Sequence, residues 1–149
     1  MPTSSSLAVF GADVLDACDE QFVARRVPTV LVVEDDALMR QSLTTALSAD
    51  FRVRAAGSGA EARGLLRRVK PDAVLLDMVL PDGDGFAVLA AVEGVSPRPQ
   101  VVILSALDQV TKAVKAMRLG ASDYLVKPCG LDKVRGVIND ALERGRSRA

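Results

Sequence analysis

The sequence predicts one three-layer α/β domain, a parallel β-sheet covered by helices on both faces. Three observations carry this. Apolar runs at residues 30–33, 73–76 and 101–104 are short and bounded by turn signals, as strands buried on both faces are. Segments with apolar residues at helical spacing lie between them. The strand–helix unit recurs five times with connections of ordinary length. Such alternation implies a parallel sheet joined by right-handed crossovers. At 149 residues, 49% of them hydrophobic, the chain has enough apolar surface for one good core, so a single domain is expected.

Each element follows from its residues. Val30-Leu-Val-Val33 forms strand 1 and runs into Glu34-Asp35-Asp36, after which Met39, Leu43, Ala46 and Leu47 mark a helix. Phe51-Arg-Val-Arg-Ala55 alternates like an edge strand. Ser58-Gly-Ala-Glu61 is a capping box, followed at helical spacing by Ala62, Leu65, Leu66 and Val69. Pro71 breaks the chain before strand 3, Ala73-Val-Leu-Leu-Asp77, and a Pro/Gly/Asp-rich turn follows. Phe86, Leu89 and Ala90 mark the third helix, ended by the loop at 94–99. Strand 4 occupies 100–104 and stops at Ser105. Val110, Ala113, Val114 and Met117 form a helix closed by Gly120. Strand 5, Asp123-Tyr-Leu-Val126, runs into Lys127-Pro128, and Leu131, Val134, Ile138, Ala141 and Leu142 give the last helix. The domain therefore spans 29–144. Five strands favour the flavodoxin-like order 2-1-3-4-5, with the topological switch point between strands 1 and 3.

Residues 1–28 read as an extension. After a polar start, Leu7, Phe10, Val14, Cys18 and Phe22 recur at near-helical spacing. Asp13, Asp16, Asp19 and Glu20 lie between them, with no basic residue before Arg25, the pattern of an acidic amphipathic helix. Docking on its own domain, a vestigial extension, and use as a dimerisation or partner-binding helix all remain open.

Composition excludes several classes. No apolar run approaches the roughly 18 residues of a membrane span. Asp13 and Asp16 fall where a signal peptide would be apolar, and a basic n-region is lacking. Cys18 and Cys129 are the only cysteines and there is no histidine, which removes His-based catalysis, His-ligated zinc and a disulfide framework. A reducing cytoplasm is the expected compartment. Nineteen Lys+Arg balance nineteen Asp+Glu, and aromatics are 3%, so neither charge nor stacking favours nucleic acid.

The strand ends gather chemistry at one edge. Strand 1 delivers Glu34, Asp35 and Asp36, strand 3 Asp77, strand 4 Ser105 and strand 5 Lys127. Ligands of open α/β sheets bind beyond that edge. Taken singly, each has an ordinary explanation. Asp77 would cap a turn, Asp36 the following helix, and Ser105 another turn; Lys127 would be solvated and Tyr124 a half-buried strand residue. Together, the carboxylates would repel one another in a low-dielectric crevice. A hard divalent cation such as Mg²⁺ resolves that repulsion with oxygen ligands. A metal, an ammonium and a hydroxyl around one carboxylate can neutralise a phosphoryl group bonded to it.

These residues resemble the receiver domain of bacterial two-component response regulators. The resemblance rests on Glu34-Asp35, on Asp77 followed by Pro81-Asp-Gly, on Ser105-Ala106 and on Tyr124-Leu-Val-Lys127-Pro128. It covers 29–144 and takes in the signature positions in order. It implies that Asp77 is the phosphoacceptor, served by a histidine kinase or phosphotransfer protein. Mg²⁺ would be bound by Asp35, Asp77 and the Val79 carbonyl, with Glu34 acting through water. Ser105 and the Ala106 N–H would bind the phosphoryl group, Lys127 would pair with it, and the bond to Pro128 would be cis. Ser105 and Tyr124 would relay the change to the face of helix 4, strand 5 and helix 5, where receivers commonly dimerise or bind partners. Val79 and Leu107 fall where the family admits or orders the hydrolytic water. Both are apolar, implying slow autodephosphorylation; the resemblance implies a switch and not an enzyme, with only Mg²⁺-dependent self-phosphorylation from a phosphodonor besides. Cys129, beside the pocket, reads as a small space-filling hydrophobe, with a redox role the alternative.

Other classes fit less well. Haloacid-dehalogenase-like phosphatases and mutases need a second acid two residues after the nucleophile, where this chain has Val79. A flavin site needs a hydroxyl- and glycine-rich phosphate loop after strand 1, where Glu34-Asp35-Asp36 would repel the phosphate. A receiver-like docking module that is not phosphorylated is the alternative within the fold; the intact acids, Ser105 and Lys127 argue against it. Residues 145–149 read as a basic tail or the start of a linker, leaving open a stand-alone receiver or one domain of a longer regulator.

Overall fold

The computed structural model describes residues 26–147. The acidic helix expected in the N-terminal extension lies outside them. Ten elements alternate along the chain: β1 Thr29–Val33, α1 Ala37–Leu47, β2 Arg52–Ala56, α2 Gly59–Val69, β3 Ala73–Asp77, α3 Phe86–Val92, β4 Gln100–Ala106, α4 Val110–Arg118, β5 Asp123–Lys127 and α5 Leu131–Ser147. All strand pairs of the sheet are parallel, in the order β2-β1-β3-β4-β5. This is the predicted flavodoxin-like topology. A two-residue antiparallel ladder, Val79–Leu80 with Gly83–Asp84, folds the loop after β3 back on itself.

Strand periodicity divides the core in two. Leu31, Val33, Val74, Leu76, Val101 and Ile103 point to one face, where α2, α3 and α4 cover them. Val30, Val32, Ala73, Leu75, Val102 and Leu104 point to the other, beneath α1 and α5. Both faces are apolar, which is why the central strands read as continuous hydrophobic runs.

Local signals set the element ends. The Asp36 carboxylate accepts from the Leu38 and Met39 N–H groups and starts α1. Ser58 accepts from the Glu61 N–H and starts α2, while Glu61 reaches back to the Gly57 N–H. Gly85 comes close to the end of β3; a Cβ there would lie 2.9 Å from the Asp77 carbonyl oxygen.

Some details differ from the pattern reading. On α4 the buried pair is Ala113 and Ala116, and Val114 is 41% exposed. The apolar arc of this helix is wider than the part that meets the sheet. Ala90 of α3 is exposed for the same reason, since Val88, Leu89 and Val92 already fill the interface. β4 runs through Ser105 to Ala106, and α5 continues to Ser147 instead of fading at Arg144.

The loop after β3 is tethered to a different element. Asp82 accepts hydrogen bonds from the Gly59 and Ala60 N–H groups at the start of α2, at 2.9 and 2.8 Å. Those bonds, with their favourable position at a helix N-terminus, hold its carboxyl below the ordinary value of 3.8. A lowered carboxyl stabilises the fold above its unfolded pKa and loses that contribution as pH falls through the folded one. Asp82→Ala is therefore expected to lower the melting temperature near pH 6, with the gap to the parent closing below about pH 3.8. In urea unfolding, Ile103→Ala is expected to cost about 2–5 kcal/mol. Val114→Ala is expected to stay within about 0.5 kcal/mol.

Candidate functional site

The buried polar or charged side chains among the described residues are Glu34, Asp77 and Ser105, and all three stand at the carboxyl edge of the sheet. Register puts them there. Val33 pairs with Leu76 and Asp77 with Leu104, so Glu34, Asp77 and Ser105 leave three adjacent strands at nearly one level. Lys127 ends β5 opposite Ala106.

Lys127 ties the strands together. Its ammonium donates to Glu34 Oε1 at 2.7 Å and to Asp77 Oδ2 at 3.0 Å. The second oxygen of each carboxylate is also served: Asp36 N–H donates to Glu34 Oε2 at 3.1 Å, and Val79 N–H to Asp77 Oδ1 at 2.9 Å. Burial pushes the lysine toward its neutral form, but the hydrogen bonds to Glu34 and Asp77 outweigh it and leave the pKa above 10.5. Lys127 is a permanent cation at neutral pH.

One cation does not balance the acids. Carboxylate oxygens of Glu34, Asp35 and Asp77 lie within 4.8 Å of one another. At that separation each unscreened pair repels by about 3 kcal/mol for an effective dielectric of ~20. The donors are all hard oxygens, two buried and one exposed, which fits a hard divalent ion. Asp36 is not in this group, because its carboxylate caps α1.

The remaining predicted residues surround this centre. Ser105 Oγ is buried and donates to the Ala106 carbonyl at 3.1 Å, not to Asp77. Tyr124, 37% exposed on β5, stands opposite Ile103 of β4. Val79 and Leu107 are exposed on the loops after β3 and β4. The Lys127–Pro128 peptide bond is cis. Cys129 packs against the α1/α5 core, and burial raises its thiol above 9.0, the behaviour of a space-filling residue and not of a reactive thiolate.

Two contributors escaped the sequence reading. The Arg40 guanidinium donates to the Glu34 carbonyl at 2.8 Å and the Asp35 carbonyl at 3.2 Å, fixing the turn that presents both acids. A lone arginine inside a helical pattern gives no hint of this. Asp82 holds the loop that carries Val79; its place in the Pro81-Asp-Gly turn suggested only turn formation.

Comparison with known proteins agrees with this geometry. Residues 30–139 match the response regulator receiver domain model. The chain is 39% identical over 116 residues to the regulatory protein LuxO of Vibrio cholerae, covering 76% of this chain and 25% of LuxO. It is 34% identical over 115 residues to AtoC of Escherichia coli, with the same coverages of 76% and 25%. It is 35% identical over 116 residues to the response regulator MprA of a Mycobacterium species, covering 77% and 50%. The chain thus spans a quarter to a half of the length of these relatives. Among solved structures, the signal receiver domain of a putative LuxO repressor from Vibrio parahaemolyticus superposes with a TM-score of 0.75 at 28% identity, covering 82% of this chain and 95% of that one. A response regulator receiver domain from Clostridium thermocellum gives 0.77 at 27% identity, covering 83% and 100%. With its sheet order, its acid cluster and its lysine tie, the chain belongs to the receiver domain family of bacterial two-component response regulators.

Proposed function

We propose that this domain is a phosphorylation-controlled switch that accepts a phosphoryl group on Asp77. The observation that carries the reading is the setting of that carboxylate. It is nearly buried, Lys127 holds one oxygen, the Val79 N–H holds the other, and Glu34 and Asp35 stand beside it. A carboxylate oxygen attacks the phosphorus of a phosphohistidine on a sensor kinase or phosphotransfer protein. The P–O bond forms as the P–N bond breaks, and the imidazole leaves. Lys127 moves its ammonium from a carboxylate partner to the incoming phosphoryl oxygens, which keeps their charge compensated.

Asp35, Asp77 and the Val79 carbonyl would hold Mg²⁺, with Glu34 acting through water. The bound ion supplies positive charge against which the carboxylates and a phosphoryl group can coexist. Ser105 then exchanges its bond to the Ala106 carbonyl for one to the phosphoryl group, beside the Ala106 N–H. Tyr124 follows inward from its exposed position. Phosphorylation so favours one of two pre-existing states, read out on α4, β5 and α5. That face leaves Val114, Leu119 and Tyr124 exposed and is suited to homodimerisation or to a protein partner. The apolar side chains of Val79 and Leu107 offer no polar group to orient a hydrolytic water, so the acyl phosphate is long-lived.

Intact mass after incubation with Mg²⁺ and acetyl phosphate tests the reading. The expected result is one added phosphoryl group, lost with EDTA and in Asp77→Asn, and decaying more slowly than in a Val79→Asn variant. A folded, Mg²⁺-binding protein that takes no adduct would instead be a docking module independent of phosphorylation. An adduct that decays equally fast in the parent and Val79→Asn would remove the assignment of Val79.

A further inference from the structure

β2 stands at the end of the strand order, so one of its sides pairs with β1 and the other with no strand among the described residues. The ladder fixes which groups are left over. The Arg52 N–H donates to the Pro28 carbonyl, and the Ala56 carbonyl accepts from the Glu34 N–H. Main-chain groups along a strand turn alternately to its two sides, so Arg52, Arg54 and Ala56 serve β1. Val53 and Ala55 therefore turn their N–H and C=O groups outward.

The side chains along this edge are basic. From Arg52 to Lys70 the chain carries six cations and one acid. Arg52 and Arg54 are exposed, and Arg54 pairs in register with Leu31, which faces α2. Both arginines thus emerge on the α2 side of the sheet. Arg63 lies beside Asp82 of the loop after β3, and helical spacing puts Arg68 on the opposite flank of α2, over β2. Because α2 runs back between the parallel strands β2 and β3, Arg68 near its end comes to the level of Arg52. Arg52, Arg54 and Arg68 have no carboxylate partner among the described residues. The neighbouring acids are committed elsewhere, Glu61 to the Gly57 N–H and Asp50 to Arg135.

Charge and main-chain pattern together select the occupant. A second copy of β2 would set arginine near arginine, which is how charged edges reject their own kind. An acidic strand reverses that repulsion. A nucleic-acid backbone offers phosphate acceptors and leaves the outward Val53 and Ala55 carbonyls unanswered, whereas a polypeptide strand supplies donors and acceptors in alternation. We propose that the β2 edge takes an acidic extended peptide of a partner protein as a sixth strand, its main chain on Val53 and Ala55 and its carboxylates against Arg52, Arg54 and Arg68. Acids at positions i and i+2 of that peptide share the face over α2. The residue between them is apolar, because it faces the side on which Val53 packs against the α1/α5 core. β2 is five residues long, about 17 Å, so a segment of five residues fills the edge. This inference is independent of the reading of Asp77.

A short peptide alternating glutamate and valine, titrated into the isotope-labelled full-length protein and followed by amide NMR, tests this. Strand addition predicts shift changes and slowed hydrogen exchange centred on the Val53 and Ala55 amides. Added salt weakens the binding. Arg54→Glu lowers the affinity at least about tenfold, equivalent to about 1.4 kcal/mol. Arg52 and Arg54 are exposed, so the fold tolerates their reversal, and the double variant Arg52→Glu/Arg54→Glu is expected to bind a lysine–valine peptide that the parent rejects. A parent that shows no response along β2 would overturn the proposal. So would binding that ignores both charge reversals, or binding without slowed exchange at Val53 and Ala55. A thymidine oligonucleotide that binds as tightly as the acidic peptide would also overturn it, making the edge a general polyanion surface.

Discussion

Glu34 and Asp77 are buried carboxylates on neighbouring strands, and the Lys127 ammonium from the far edge of the sheet donates to both. Burial of either acid without that cation would leave an uncompensated charge in a low-dielectric crevice. The same contact joins β1, β3 and β5 across the intervening β4, so charge compensation and sheet assembly are one constraint. It is also incomplete. One ammonium faces three clustered acids, a deficit that a divalent ion would relieve in the proposed function.

The remainder of the fold keeps this edge level. Parallel register brings Glu34, Asp77 and Ser105 of three adjacent chain segments to nearly one height, and the two apolar layers hold the strands from both faces. The loops above are pinned individually. Arg40 holds the turn after β1, Asp82 holds the loop after β3 on α2, and Gly85 lets that loop pass close to the Asp77 carbonyl. Ser105 and Tyr124 stand outside these ties. The serine makes a local bond to the adjacent carbonyl, and the tyrosine is partly in solvent. The proposed switch would use that difference between a tied charge centre and groups outside it.

The fold and the acid centre were legible because both rest on strong, periodic signals. Continuous apolar strands ending in polar residues announce a buried parallel sheet and its functional edge, and Asp36 read correctly as a cap. Contacts that cross the fold left no trace in the sequence. Arg40 and Asp82 act on backbone groups, and their partners depend on how loops approach one another. The exposed sides of Val114 and Ala90 were equally hidden, because periodicity gives a helix its apolar arc but not the part of the arc that meets the sheet. The run of α5 to Ser147 shows the same limit, as Gly145 looks like an end by propensity alone.

The most direct test of the charge deficit at this edge is a calorimetric titration of the folded domain with Mg²⁺, run beside Asp35→Asn and Asp77→Asn. A single ion bound by the parent, with affinity sharply reduced in both variants while their unfolding transitions stay cooperative, is the predicted result. A parent that binds no Mg²⁺, or binds it equally well after either carboxylate is neutralised, would contradict the assignment of this acid cluster as the centre on which the domain works.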